Sequence, residues 1–219
     1  MHKPFKINSP MKIFGFLFTL FLFTMCSEPK SRYELIREKQ AEQIERGIQK
    51  DTTLLGFHFG MSKAQYDVKF AELIADGTLT TNADGLVGLI IPIVYTFPFA
   101  RLRDEYFKDS LCSITLLIEG DYSQIIEDDD MKAQWAHTQM ALLLLKKYPY
   151  PNCLVVESLL DKTHMDYYFF EGKQQIELLY PYLSDILSVT YSDFQMIERK
   201  EKIEEDLKNE IEKNTLKKF

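Results

Sequence analysis

No HExxH, GxSxG or CxxC motif occurs in this chain, and no glycine loop of the kind that cradles phosphate. Zinc peptidases, α/β-hydrolases, dithiol oxidoreductases and P-loop nucleotide enzymes therefore leave no signature in it. Histidine is scarce: His2, His58, His137 and His164 share no metal-ligand spacing, and the sequence implies no metal and no cofactor. Basic residues are in deficit, 26 against 33 acidic, for a formal charge of −7. Nucleic acid needs a basic footprint, so it is excluded as a partner.

Long apolar runs are also missing, with one exception. In "MKIFGFLFTLFLFTMCSEPK" the thirteen residues Ile13–Met25 are nearly all apolar and stop at Cys26. A helix needs about 20 residues to cross a bilayer, and Lys3, Lys6 and Lys12 precede this shorter run, so residues 1–25 read as a signal peptide. Met11 followed by Lys12 offers a second start that would give a compact signal. A cysteine closing the apolar core, in "FTMC", resembles the lipobox of bacterial lipoproteins, although Phe23 and Met25 stand where that family has Leu and a small residue. The resemblance implies lipid attachment at Cys26; the alternatives are an anchor left uncleaved or cut elsewhere, and a buried core segment. Ser27 in the next position resembles the pattern of lipoproteins sent to the outer membrane. The expected location is the cell envelope, lipid-anchored at the outer membrane and facing the periplasm.

Composition changes at once after the cysteine. Residues 26–52 are rich in charge, with Tyr33 the lone aromatic and a thin stripe at Ile36, Ile44 and Ile48, and are expected to form a polar tether, solvated and partly helical. Losing residues 1–25 removes Lys3, Lys6 and Lys12 and no acidic residue, which moves the charge from −7 to −10. Such a surface gives no attraction to anionic lipid, so the membrane contact expected is the N-terminal lipid alone.

Residues 53–193 are long enough for one domain with its own core. Ser62 with Gln65 forms a capping box, Gly77 closes the helix it starts, and Tyr66, Phe70, Leu73 and Ile74 line one face. The stretch "GFHFGMSKAQY" resembles the opening of outer-membrane assembly lipoproteins of the SmpA/OmlA type and of the related β-lactamase-inhibitor-like fold. In those a glycine turn starts a helix that packs on an antiparallel sheet. "GLIIPIVYTFPF" reads as an edge strand or broken loop because of Pro92 and Pro98, and "SITLLIEG" alternates as a strand with one buried side. A second helix follows the acidic run Asp128–Asp130 and ends in Lys146 and Lys147 before Pro149, which suits the helix dipole better than a calcium loop. Strands then resume, with Gly172 the clearest hairpin turn.

Overlaying the halves matches Lys63–Tyr66 with Lys132–Trp135, and Ile114, Leu116 and Leu117 with Ile176, Leu178 and Leu179. That suggests two helix-hairpin repeats, the alternative being that any amphipathic helix and hairpin align this well. The fold expected is α+β, two helices packed on one face of an antiparallel β-sheet, followed by a charged, solvated C-terminal helix over 194–219.

Candidate site residues are few. Cys112 and Cys153 form an even pair in an oxidising compartment, open to a disulfide or to two buried thiols. Tyr148, Tyr150, Tyr167, Tyr168, Tyr180 and Tyr182 could form an aromatic binding surface or serve the core and a sheet face. No catalytic residues can be named together. The leading reading is a non-catalytic envelope lipoprotein that acts as an interaction or assembly module for another envelope protein. The second is an inhibitor or small-ligand-binding module with a concave aromatic face. The third is a hydrolase, which would need a cleft enclosing His164, Asp166 and Glu171.

Overall fold

The computed structural model describes residues 29–48, 50, 52–91, 98–119, 129–181 and 186–216. The signal segment 1–25 and Cys26 lie outside the described residues, as do Asp128 and Tyr182. The chain divides into two compact units, residues 1–35 and 36–219. In the first, Ser31 and Glu34 make a capping box: the Ser31 N–H donates to Glu34 Oε2 at 2.7 Å, and Ser31 Oγ accepts from the Glu34 N–H at 3.3 Å. Helix α1 (Arg32–Glu45) starts there.

The second unit continues with α2 (Lys63–Ala75), β1 (Thr80–Thr81), β2 (Val87–Ile90), β3 (Phe99–Phe107) and β4 (Ser110–Glu119). There follow α3 (Asp129–Lys147), β5 (Cys153–Glu157), β6 (Met165–Glu171), β7 (Gln174–Leu178), β8 (Leu187–Asp193) and α4 (Phe194–Leu216). The strands form one antiparallel sheet of order β1-β2-β3-β4-β8-β7-β6-β5. It is two meanders, each preceded by a helix, joined through their last strands: Ile114 stands opposite Tyr191 and Leu116 opposite Val189.

The helix ends follow their sequence signals. Ser62 Oγ accepts from the Gln65 N–H at 3.3 Å while the Ser62 N–H donates to Gln65 Oε1 at 2.8 Å, and Gly77 closes the helix with φ +79°. Below α2, Tyr66 and Leu73 pack with Phe57, Leu79, Leu111 and Ile114, and the Phe57 and Tyr66 rings stack at 4.6 Å. Below α3, Ala136, Met140, Ala141 and Leu144 pack on Leu116, Phe169, Ile176, Leu178 and Val189.

Two helices on one face of the sheet, with the other face left to solvent, is not what the chain builds. Four helices and eight strands are present among the described residues, and both faces are covered. Ser113, Thr115, Gln175 and Ser192, on the side expected to be wet, are buried. Thr115 and Thr190 hydroxyls meet at 3.1 Å, and Ser192 Oγ donates to the Gln175 carbonyl at 3.5 Å, so these groups find partners within the protein. Gln40 of α1 donates to Gln175 Oε1 at 2.8 Å, and Lys200 of α4 pairs with Glu105 of β3. The polar tether is therefore, from Ile36 onward, part of the compact unit, which is wider than residues 53–193. Of the C-terminal helix, Phe194 is buried, and residues 201–213 are exposed as expected for a solvated helix.

The repeats are also of a different kind. Each unit is a helix plus a four-stranded meander rather than a helix and a hairpin, and β4 corresponds by position to β8. Aligning Ile114 with Ile176 had matched β4 to β7, so that likeness came from any two buried strands sharing a pattern. Of the stretch read as an edge strand or broken loop, residues 92–97 with Pro92 lie outside the described residues, and its start belongs to β2, which pairs with β1 as well as β3.

Among the described residues Gly172 is the glycine that both conformation and space require. Its φ is +61°, and a Cβ there would lie 2.4 Å from the Ile48 carbonyl oxygen where the segment after α1 crosses the β6–β7 turn. That crossing is fixed by the buried Gln43, whose Oε1 accepts from the Gly172 N–H at 3.2 Å, and by the Lys50–Glu171 ion pair.

Candidate functional site

One end of the sheet, where β2 meets β3, β5 meets β6 and β7 meets β8, collects the chain's unusual side chains. The β5–β6 loop is locked by its own polar groups. Asp161 Oδ1 accepts from the Thr163 N–H at 2.9 Å and from Thr163 Oγ1 at 2.7 Å, and His164 Nδ1 donates to Asp161 Oδ2 at 2.8 Å. These contacts hold the Asp161 carboxyl below the usual carboxylate range, the Thr163 hydroxyl being the first cause. The Tyr180 ring stacks on His164 at 3.7 Å, and the Tyr180 N–H donates to the buried Asp166 at 2.8 Å.

Beneath this loop lies His137 of α3, 5% exposed, with Tyr167 and Tyr180 rings 5.5 and 5.4 Å away. Its Nε2 has no hydrogen-bond partner among the described residues. Burial pushes its imidazole down to about 4, against the nearby Asp166 carboxylate and a hydrogen bond to the Leu178 carbonyl, which pull upward. A catalytic Asp–His dyad needs its nucleophile on the ring nitrogen opposite the carboxylate. Here the Thr163 hydroxyl and Asp161 both crowd Nδ1 of His164, an arrangement that fixes a loop. Glu171 stands at the far end of β6, paired with Lys50, so His164, Asp166 and Glu171 share no cleft.

On and beside the locked loop, Leu159 and Leu160 are 67% and 68% exposed and Met165 45%, and Leu179 and Ile186, at the same end of β7 and β8, are exposed as well.

The described tyrosines among the six candidates do not gather on one surface. Tyr148 and Tyr168 are buried, Tyr150 is exposed at the α3–β5 turn, and Tyr167 and Tyr180 pack on His137; Tyr182 is outside the described residues. Tyr167 and Tyr168, adjacent on β6, point to opposite faces. Cys112 and Cys153 are free thiols. They lie on β4 and β5 with β8, β7 and β6 between, about 19 Å at ~4.8 Å per strand, far beyond disulfide reach. Burial pushes both thiols up to about 11, so neither is poised to react.

Elsewhere, Lys63 sits between Asp67 at 2.8 Å and Asp104 at 3.1 Å, 4.8 Å above the Tyr66 ring, a cation box that ties α2 to β3. An open depression of about 400 Å³ lies along the outer side of α2 at Ala64, Val68 and Glu72, with no clustered chemistry. No cluster of metal-ligating side chains occurs among the described residues, and no described helix is long and apolar enough to cross a membrane.

No family model, curated protein or solved structure matches this chain.

Proposed function

We propose that this protein is a non-catalytic lipoprotein of the cell envelope, held by a lipid on Cys26, that docks another envelope protein through the apolar end of its sheet. The observation that carries the reading is the exposure of Leu159, Leu160 and Met165 on and beside the β5–β6 loop, with Leu179 and Ile186 at the same end of β7 and β8. Apolar side chains so placed gain by leaving water against a partner, and a loop fixed by Asp161, Thr163 and His164 loses little freedom when it binds. The apolar run that stops at Cys26 and the resemblance of "GFHFGMSKAQY" to assembly lipoproteins support the same reading. With a formal charge of −10 once residues 1–25 are removed, the chain favours a partner segment flanked by basic groups.

The test is a photo-reactive amino acid placed at Met165 and at Ile186 in living cells. Both positions should label the same envelope protein, a control at Lys202 on α4 should not, and Cys26→Ala should abolish the product. Labelling equal at all three positions, or a product indifferent to Cys26→Ala, would overturn the proposal.

A further inference from the structure

We infer that β5 is a self-association edge: two copies of this chain pair their β5 strands antiparallel about Val155, joining two eight-stranded sheets into one. Among the described residues β5 is the last strand of the sheet and pairs with β6 alone. Its hydrogen-bonding direction can be read from its neighbours. The Phe170 N–H donates to the Asn152 carbonyl and the Ser158 N–H donates to the His164 carbonyl, so even-numbered residues bond inward to β6. Cys153, Val155 and Glu157 therefore turn their backbone N–H and C=O groups outward, and no described group takes them up. The strand has no Lys, no Pro and no bulge, its one charge is Glu157 at its end, and Val155 at its centre is 46% exposed.

The sequence around β5 complements itself in that register. Centred on Val155, the pairing sets Cys153 opposite Glu157 and Leu154 opposite Val156 of the second copy. All three outward residues of each strand are then in hydrogen-bonded pairs, about six backbone bonds in all. Charge agrees as well. The Cys153 end carries Lys39, whose Nζ reaches the Pro151 carbonyl at 3.2 Å, and Lys146 and Lys147 of the last turn of α3. The opposite end carries Glu157 and Asp161, Lys162 aside. Antiparallel pairing brings each basic end beside the acidic end of the other copy.

The full-length chain in detergent, examined by sedimentation equilibrium, should be a dimer that dissociates on dilution. Val155→Lys, which opposes two ammonium groups at the symmetry axis, should leave a monomer that melts as the wild type does when diluted to its monomer, and Val155→Ile should keep the dimer. A Leu154→Cys/Val156→Cys chain should form an interchain disulfide joining residue 154 of one copy to 156 of the other. A monomeric wild type would overturn the inference. So would a dimer that survives Val155→Lys but is lost with Leu207→Lys, which would place the contact on α4.

Discussion

The two outer strands of the sheet differ in length and in what they leave open. The first meander ends in β1, two residues long, turned back by Asn82, whose Oδ1 accepts from the Asp84 and Leu86 N–H groups at 3.0 and 2.9 Å. Little unpaired backbone remains there. The second meander ends in β5, five residues with an uninterrupted outward row and an exposed valine at its centre. Shortness is one way to blunt an edge, and β5 does not use it. The same half carries the locked loop, the apolar end and the crossing over Gly172. One meander completes the core, and the other completes it and offers surface.

That division can be broken by mutation. The largest effect belongs to the shared core. Phe169→Ala on β6 should cost about 4 kcal/mol, with the urea midpoint shifted and the slope kept, because both meanders form one sheet. A reduced slope would mean that the halves unfold separately. Next comes a paired test of two positive-φ glycines. Gly172→Ala should cost about 3 kcal/mol, since the new methyl strikes the Ile48 carbonyl, whereas Gly77→Ala, with open space around it, should cost about 1 kcal/mol. Equal losses in denaturation would show that conformation alone matters.

His137 gives a pH test confined to the second half. Its neutral form is buried, and its affinity for a proton is lowered from 6.5 to about 4, so the unfolded chain binds the proton more readily. Its contribution is fully present above pH 6.5 and is lost as pH falls from there through about 4, up to about 3 kcal/mol. His137→Leu should flatten that part of the pH profile of the denaturation midpoint. The smallest change expected is Ser62→Ala in the first half, about 1 kcal/mol through loss of the α2 cap, read from the same midpoint.

Local signals were legible in the sequence wherever one short stretch decides the outcome. Ser62 with Gln65, Gly77 and Gly172 each mark a helix end or a turn without reference to the rest of the chain. What needed distant partners was not. Ser113 and Thr115 alternate with apolar residues and so suggest a solvent face, yet Thr190 and Ser192, far along the chain, lie beside them and make a buried polar layer. Gln43 looks like a tether residue until Gly172 and Asn152 take up its amide at 3.2 and 3.3 Å. The β3–β4 turn escaped notice because Lys108 and Asp109, with φ of +48° and +61°, fill positions where glycine or asparagine would have announced a hairpin. The site was the least legible part, since His137, His164 and Tyr180 meet only after β6 and β7 are in register under α3. The tyrosine-rich stretches pointed to the right half of the chain, but strand alternation sends Tyr167 and Tyr168 to opposite faces.

The contrast between the two edges is tested most directly by amide hydrogen exchange of the full-length chain over a range of protein concentrations. The backbone amides of Cys153, Val155 and Glu157 should exchange slowly in concentrated protein and progressively faster on dilution, while those of Thr80 and Thr81 stay constant. Exchange at Val155 as fast in concentrated protein as in dilute, and no slower than at the β1 edge, would contradict the account.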